Sequence, residues 1–180
     1  QVGKSRLINE LFLNGQPLLP VGQGLCTTAA ATSVTYGDQA QLKVYRWQKT
    51  KQTVSVDVQG QTLSDVGEFT SGVKVAEVID NPTADDVRRF TAPEAKDARA
   101  ALVEGVQRVE LTWPADTLGN YTFVDTPGVD DPDRKLLDNT TYRVIPESDI
   151  AILVVGTRQL DQVELVFLRS RLFEAGLSRL

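Results

Sequence analysis

The sequence predicts an α/β layered fold, and three observations carry that reading. A Gly3-Lys4-Ser5 turn runs straight into a helix-like stretch, Arg6 to Leu13. A short apolar run, Tyr121 to Asp125, closes on a carboxylate and a Thr-Pro-Gly turn. A continuous apolar stretch, Ile150–Val155, reads as a strand buried on both faces, and an amphipathic helix, Gln162–Ala175, follows it. Strands alternating with helices in this way stack as layers of sheet and helix.

In chain order, Leu7, Ile8, Leu11 and Phe12 share one face of the first helix, and Asn14-Gly15 ends it. Residues 16–28 are a loop rich in proline and glycine. Three β-like runs follow: Ala30–Tyr36, Gln41–Trp47 and Thr53–Val58. The polar stretch from Trp47 to Thr53 is expected to be a hairpin loop between the last two. Residues 60–105 carry the weakest signal. Within them Thr83–Phe90 reads as a short helix, with Thr83 as N-cap and Asp85 and Asp86 near its positive end. Pro93–Val103, rich in alanine, reads as another. Val106–Trp113 alternates like an exposed edge strand, Tyr121–Asp125 reads as a short strand, and Leu136–Val144 as a helix. Gly176 ends the helix Gln162–Ala175. There is no internal repeat and no low-complexity segment.

At 180 residues, one domain with a sizeable core is the expectation. Hydrophobic residues at 41% and charged residues at 24% fit a soluble globular chain. A net charge of −5 argues against broad nucleic-acid binding, so no nucleic-acid partner is expected. Cys26 is the only cysteine, which excludes an intrachain disulfide and fits a reducing, cytoplasmic setting. No run has transmembrane length and no signal-peptide pattern is present. The absence of histidine removes Ser-His-Asp and Cys-His mechanisms and histidine metal sites.

Three motifs carry chemistry. Gln1-Val2-Gly3-Lys4-Ser5 matches the back half of the phosphate-binding loop G-x-x-x-x-G-K-[ST]. In such a loop backbone N–H groups cradle the phosphates, the lysine reaches the β- and γ-phosphates, and the serine hydroxyl binds Mg²⁺. The same residues also fit a surface turn with Ser5 as helix N-cap. Phe123-Val-Asp-Thr-Pro-Gly128 places Asp125 at the carboxyl end of a strand, where α/β sheets bind ligands and a carboxylate can hold Mg²⁺ through a water. Gly128 would let a backbone N–H approach the γ-phosphate; the plain alternative is a strand-to-turn exit. Leu19-Pro-Val-Gly-Gln-Gly-Leu-Cys-Thr-Thr28 is a loop bearing two threonines, which fits either a nucleotide-sensing switch or an ordinary connection. The three occur in the order a nucleoside triphosphatase needs.

The chain resembles the GTPase domain of the dynamin superfamily, in its bacterial dynamin-like branch. Leu19 to Thr27 is similar to that family's switch I pattern, L-P-x-G-x-G-x-x-T, and Phe123–Gly128 to its switch II. Glu164, Phe167 and Leu168 fall where the family often has E-x-x-F-L. The separation of 98 positions from Thr27 to Asp125 also matches, because dynamin-type domains carry extra elements there.

The resemblance implies a P-loop GTPase three-layer sandwich with a mostly parallel central sheet and dynamin-type insertions. It implies GTP and Mg²⁺ as cofactors, with K⁺ or Na⁺ as a monovalent partner. Lys4 would hold the β/γ-phosphates, Ser5, Thr27 and Asp125 the Mg²⁺, and Gly128 the γ-phosphate. Gln1, Val2, Gly3, Ser5 and Arg6 would complete the phosphate cradle, and the carbonyls of Gly22 and Gly24 would meet the monovalent cation. Gln1 departs from the serine that dynamins often place at this point. Activity would rise as two GTPase domains dimerise, and the parent protein would remodel or tether membrane as a cytoplasmic, peripherally associated mechanoenzyme. The first loop glycine would precede Gln1 and the guanine-reading [TN]-K-x-D motif would follow Leu180. Residues 1–180 are therefore expected to be a partial domain, inactive alone. A ribosome-assembly type of GTPase and a degenerate nucleotide-binding scaffold are the alternatives. The long middle section counts against the first, and the presence of Lys4, Ser5, Thr27 and Asp125 against the second.

Overall fold

The computed structural model describes residues 3–21, 30–58, 61–92, 105–126, 147–154 and 165, with no side-chain description for 49–71. Helix α1, Lys4–Phe12, opens the chain, followed by strands β1, Thr32–Tyr36, β2, Gln41–Val58, and β3, Gln61–Asp80. Helix α2, Ala84–Thr91, then leads to β4, Val106–Trp113, a 3-10 turn at Asp116–Leu118, and β5, Phe123–Asp125. The five strands form one sheet in the order β3-β2-β4-β1-β5.

Leu42, Val44, Val34, Val109 and Leu111 are fully buried and pair across the register on one face of this sheet. Ile8 and Leu13 from the α1 end and Val87 and Phe90 from α2 join them in a single core. The opposite face carries Lys43, Tyr45, Arg108 and Glu110, which face one another across β2 and β4. The helices expected over Pro93–Val103, Leu136–Val144 and Gln162–Ala175 lie outside the described residues, apart from the helical, exposed Leu165.

Only β1 and β4 run parallel; β1–β5, β2–β3 and β2–β4 are antiparallel. The mostly parallel sheet expected above is therefore corrected, among the described residues, to a mixed and mainly antiparallel one. The physical reason is connection length. β2 passes to β3 through two residues, which only an antiparallel hairpin allows, whereas β1 reaches β4 by a long crossover.

Three further expectations change. Residues 47–53 are not a hairpin loop, because β2 continues unbroken to Val58 with a register shift between Gln48 and Lys49. The stretch is polar, but it holds no Gly, Pro or Asn to turn the chain. Val106–Trp113 forms β4 as expected, yet it is central rather than at an edge. Its alternation reports one buried face, Val109 and Leu111, and says nothing of how many neighbours the backbone has. Ile150–Val155 is not a buried strand over its described part: Ile150 is 77% and Ile152 66% exposed, and no described strand pairs with residues 150–154. Apolar composition supplies the drive to bury a strand but not the partner edge that its N–H and C=O groups need.

Where β1 ends, Gly37 passes so close to β4 that a Cβ would lie 2.1 Å from Thr112 Cγ2. Any larger residue there would force the Thr112 side chain to move.

Candidate functional site

α1 begins two residues earlier than its apolar pattern, so Lys4 and Ser5 form its first turn rather than the approach to it. Gly3 is the N-cap, in a left-handed conformation with φ 84°, and no side chain caps the helix. A side chain other than glycine would be strained there. The first backbone N–H groups of a helix have no partner within it, and the helix dipole adds partial positive charge at the same end. An uncapped N-terminus of this kind suits an anion.

Ser5 is 8% exposed, and its Oγ donates to Asp125 Oδ2 at 2.5 Å. Ser5 is thus not an N-cap: its hydroxyl points inward, across 120 positions of sequence, to the end of β5. Asp125 is 2% exposed. On the adjacent strand, Thr32 stands directly opposite it in the antiparallel register.

The placement of α1 against β5 is over-determined. Phe12 stacks on Phe123 with ring centroids 3.8 Å apart, and Thr117 Oγ1 donates to the Phe12 carbonyl at 2.7 Å. These contacts set the far end of the helix, so its first turn falls at Asp125.

Asn9, one turn beyond Ser5 on the same buried face, fixes the loop that leaves α1. Its Nδ2 donates to the Leu19 carbonyl at 2.9 Å, and the Leu19 N–H donates to its Oδ1 at 3.0 Å. Asn14 and Gly15, both at positive φ, turn the chain back, and Gly15 N–H donates to the Asn9 carbonyl. Leu18 and Leu19 are buried against the core, so residues up to Val21 leave from a fixed point.

Of the residues the sequence singled out, Gly3, Lys4, Ser5 and Asp125 are gathered at this junction. Arg6 lies in the same turn, but its side chain is 73% exposed and pairs with Glu10 at 3.9 Å. Gln1, Val2, Gly22, Gly24, Thr27 and Gly128 lie outside the described residues. Asn9 and Thr32 were missed. An asparagine on an otherwise apolar helix face was a usable signal for the first. Thr32 looked like ordinary strand composition.

Ser5 and Asp125 are hard oxygen donors, buried and adjacent, which is the chemistry that suits Mg²⁺ rather than a soft metal. A single carboxylate also suits Mg²⁺, which keeps several waters and takes the rest of its shell from phosphates.

A family model described as the Dynamin family matches residues 1–177. Among curated proteins, Dynamin-like protein 1 of Campylobacter jejuni subsp. jejuni serotype O:23/36 (strain 81-176) is 27% identical over 186 aligned residues. The alignment covers 98% of this chain and 25% of that relative, so the chain spans about a quarter of its length.

Proposed function

This chain belongs to the dynamin family, as a GTPase domain of it, and from that premise we propose that the parent protein is a GTP-hydrolysing mechanoenzyme whose GTPase domains dimerise to remodel or tether membrane. The observation that carries the catalytic part is the Ser5–Asp125 hydrogen bond at the uncapped start of α1. It joins the first turn of α1 to the carboxyl end of a strand, the kind of place where α/β sheets bind ligands, so these residues would be at hand for a nucleotide and its metal.

In this reading Lys4 holds the β/γ-phosphates. The backbone N–H groups of Gln1, Val2, Gly3, Lys4, Ser5 and Arg6 would line the phosphates, which leaves the Arg6 side chain to its surface pair with Glu10. Ser5, Thr27 and Asp125 would hold Mg²⁺, the first two through their hydroxyls. Bound Mg²⁺ would neutralise charge on the phosphate oxygens. Gly128 would offer its N–H to the γ-phosphate, and the carbonyls of Gly22 and Gly24 would meet K⁺ or Na⁺. The Asn9 clamp supports the switch role of residues 22–27, because it anchors their loop at Leu19. A loop held at its root can change conformation beyond it without disturbing the helix. No described helix is long and apolar enough to cross a membrane. Lipid contact is assigned to parts of the parent protein beyond these residues.

The test is GTP turnover by the full-length protein against its own concentration, in potassium and then in a bulky organic cation. Specific activity that climbs with concentration and falls without potassium is expected. Slow turnover indifferent to both would leave a GTPase without the dimerisation mechanism, and no GTP binding at all would refute the reading.

A further inference from the structure

We propose that Thr32 is a positioning residue of the Mg²⁺ site, its hydroxyl accepting a hydrogen bond from a metal-bound water and donating to the Asp125 carboxylate. It rests on the reading of Ser5 and Asp125 as Mg²⁺ groups.

Three observations converge. Thr32 is 1% exposed, and its Oγ1 is a buried polar atom with no hydrogen-bond partner among the described residues. Leaving such a group unsatisfied is costly, and a protein interior rarely does so without a reason. Its direct cross-strand partner is Asp125, the residue that receives the Ser5 hydroxyl. Directly opposed residues on antiparallel strands project to the same face, with Cβ atoms about 4.5–5.5 Å apart. That gap is short enough for one hydroxyl to reach a neighbouring carboxylate or a water shared with it. Finally, the strand neighbours in the same register are apolar: Val34 is opposite Phe123, and Val109 lies on the other side of Thr32. Apart from Asp125, to which Thr32 Oγ1 makes no hydrogen bond, nothing in this register gives its oxygen a polar partner unless one arrives.

A hydrated Mg²⁺ is what would arrive. Its waters are strong donors and require acceptors, which a carboxylate alone supplies in limited number. The Thr32 oxygen offers one more acceptor, and its proton can turn to Asp125, fixing that carboxylate as an outer partner of the metal.

The test uses the full-length protein loaded with a fluorescent GDP analogue, with Mg²⁺ titrated and nucleotide release followed. Thr32→Val keeps the shape and removes the hydroxyl. Its half-saturating Mg²⁺ concentration is expected to rise about two- to tenfold, the range one hydrogen bond spans. Thr32→Ser should stay with the unaltered protein. Without Mg²⁺ and nucleotide, Thr32→Val should melt no lower than the unaltered protein, because the hydroxyl has no partner to lose. If Asp125→Asn shifts the Mg²⁺ midpoint and Thr32→Val does not, the role of Thr32 falls while the metal reading survives. If neither shifts it, the metal reading falls and this inference with it. A lower melting point of Thr32→Val in the metal-free state, or a shift in Thr32→Ser equal to that of Thr32→Val, would assign the residue to packing and overturn the proposal.

Discussion

Ser5 Oγ and Asp125 Oδ2 meet at 2.5 Å, and this contact ties the first turn of the first helix to the end of the last described strand. Its two members differ in what each can lose. Ser5→Ala removes the donor and leaves a buried carboxylate with one hydrogen bond fewer. Hydrogen bonds to charged groups are worth about 1.5–3 kcal/mol, so the variant should lose stability on that scale. Asp125→Asn keeps an acceptor for Ser5 while removing the charge. Its melting temperature should change less than that of Ser5→Ala, while its Mg²⁺-supported GTP hydrolysis falls by about 10- to 100-fold. Thermal melts and turnover on the same two variants check the separation. Equal effects of the two on both readouts would contradict it.

Asn9 makes a second prediction at the same helix. Both polar ends of its amide are engaged by Leu19, whose backbone is buried. Asn9→Leu suits the apolar surroundings but strands the Leu19 N–H and C=O. Each stranded group costs about 1–3 kcal/mol, so the variant should be destabilised despite being more hydrophobic. Asn9→Asp can accept from Leu19 N–H but cannot donate to its carbonyl, and should fall between. Urea unfolding midpoints of the three proteins give the order directly.

The elements that were legible in the sequence are those whose information is local. Thr83 was readable as an N-cap because capping depends on residues within one turn, and α2 begins where the sequence placed it. β4 was readable from its alternation, and α1 from its apolar spacing. What could not be read depends on partners distant in sequence. β4 is central because β1 and β2 flank it, a fact its own eight residues do not encode. The described strands are mostly antiparallel because the length of the connections between them, which composition does not reveal, decides direction. At the site, Ser5 and Asp125 were named from motifs, since phosphate and metal chemistry restricts residue types. Thr32 was not, because its significance comes only from standing opposite Asp125.

The start of α2 carries a pH dependence. Asp86 Oδ2 accepts from the Thr83 N–H at 2.8 Å and from the Thr83 hydroxyl at 2.6 Å, and the Asp86 N–H donates back to Thr83 Oγ1. The hydrogen bonds from the Thr83 side chain and backbone hold the Asp86 carboxyl below its ordinary value of 3.8. A depressed carboxyl stabilises the fold above its unfolded value, and the contribution is lost as pH falls through the folded one. Thr83→Ala should cost about 1 kcal/mol at neutral pH. The difference between Thr83→Ala and the unaltered protein should shrink as the solution is taken below pH 3.8. Melting curves at neutral and acid pH test this; a difference independent of pH would separate the cap from Asp86 ionisation.

On the polar face of the sheet, Tyr45 predicts the opposite sign. Its hydroxyl donates to Glu110 Oε2 at 2.7 Å, and the Arg108 guanidinium lies over its ring at 4.1 Å while donating to Glu110 Oε1 at 2.9 Å. Glu110 thus receives two donors from groups that also touch each other. The hydrogen bond to Glu110 raises the Tyr45 hydroxyl above its ordinary 10.0, burial adds to the rise, and Arg108 partly offsets it. An acid whose folded value is raised stabilises the fold below its unfolded value. That stability is lost as pH climbs through the folded one, because the unfolded chain releases its proton first. Tyr45→Phe removes the donor but keeps the ring under Arg108. It should be less stable than the unaltered protein at pH 8 by about 0.5–1.5 kcal/mol. Above pH 10 the gap between the two should close, since the unaltered protein then loses what Tyr45→Phe never had. Tyrosinate absorbance followed through the same range should show one fewer late-titrating tyrosine in Tyr45→Phe. No stability gap at pH 8 would mean that the ring under Arg108, which Tyr45→Phe retains, matters to the fold and the hydroxyl bond to Glu110 does not.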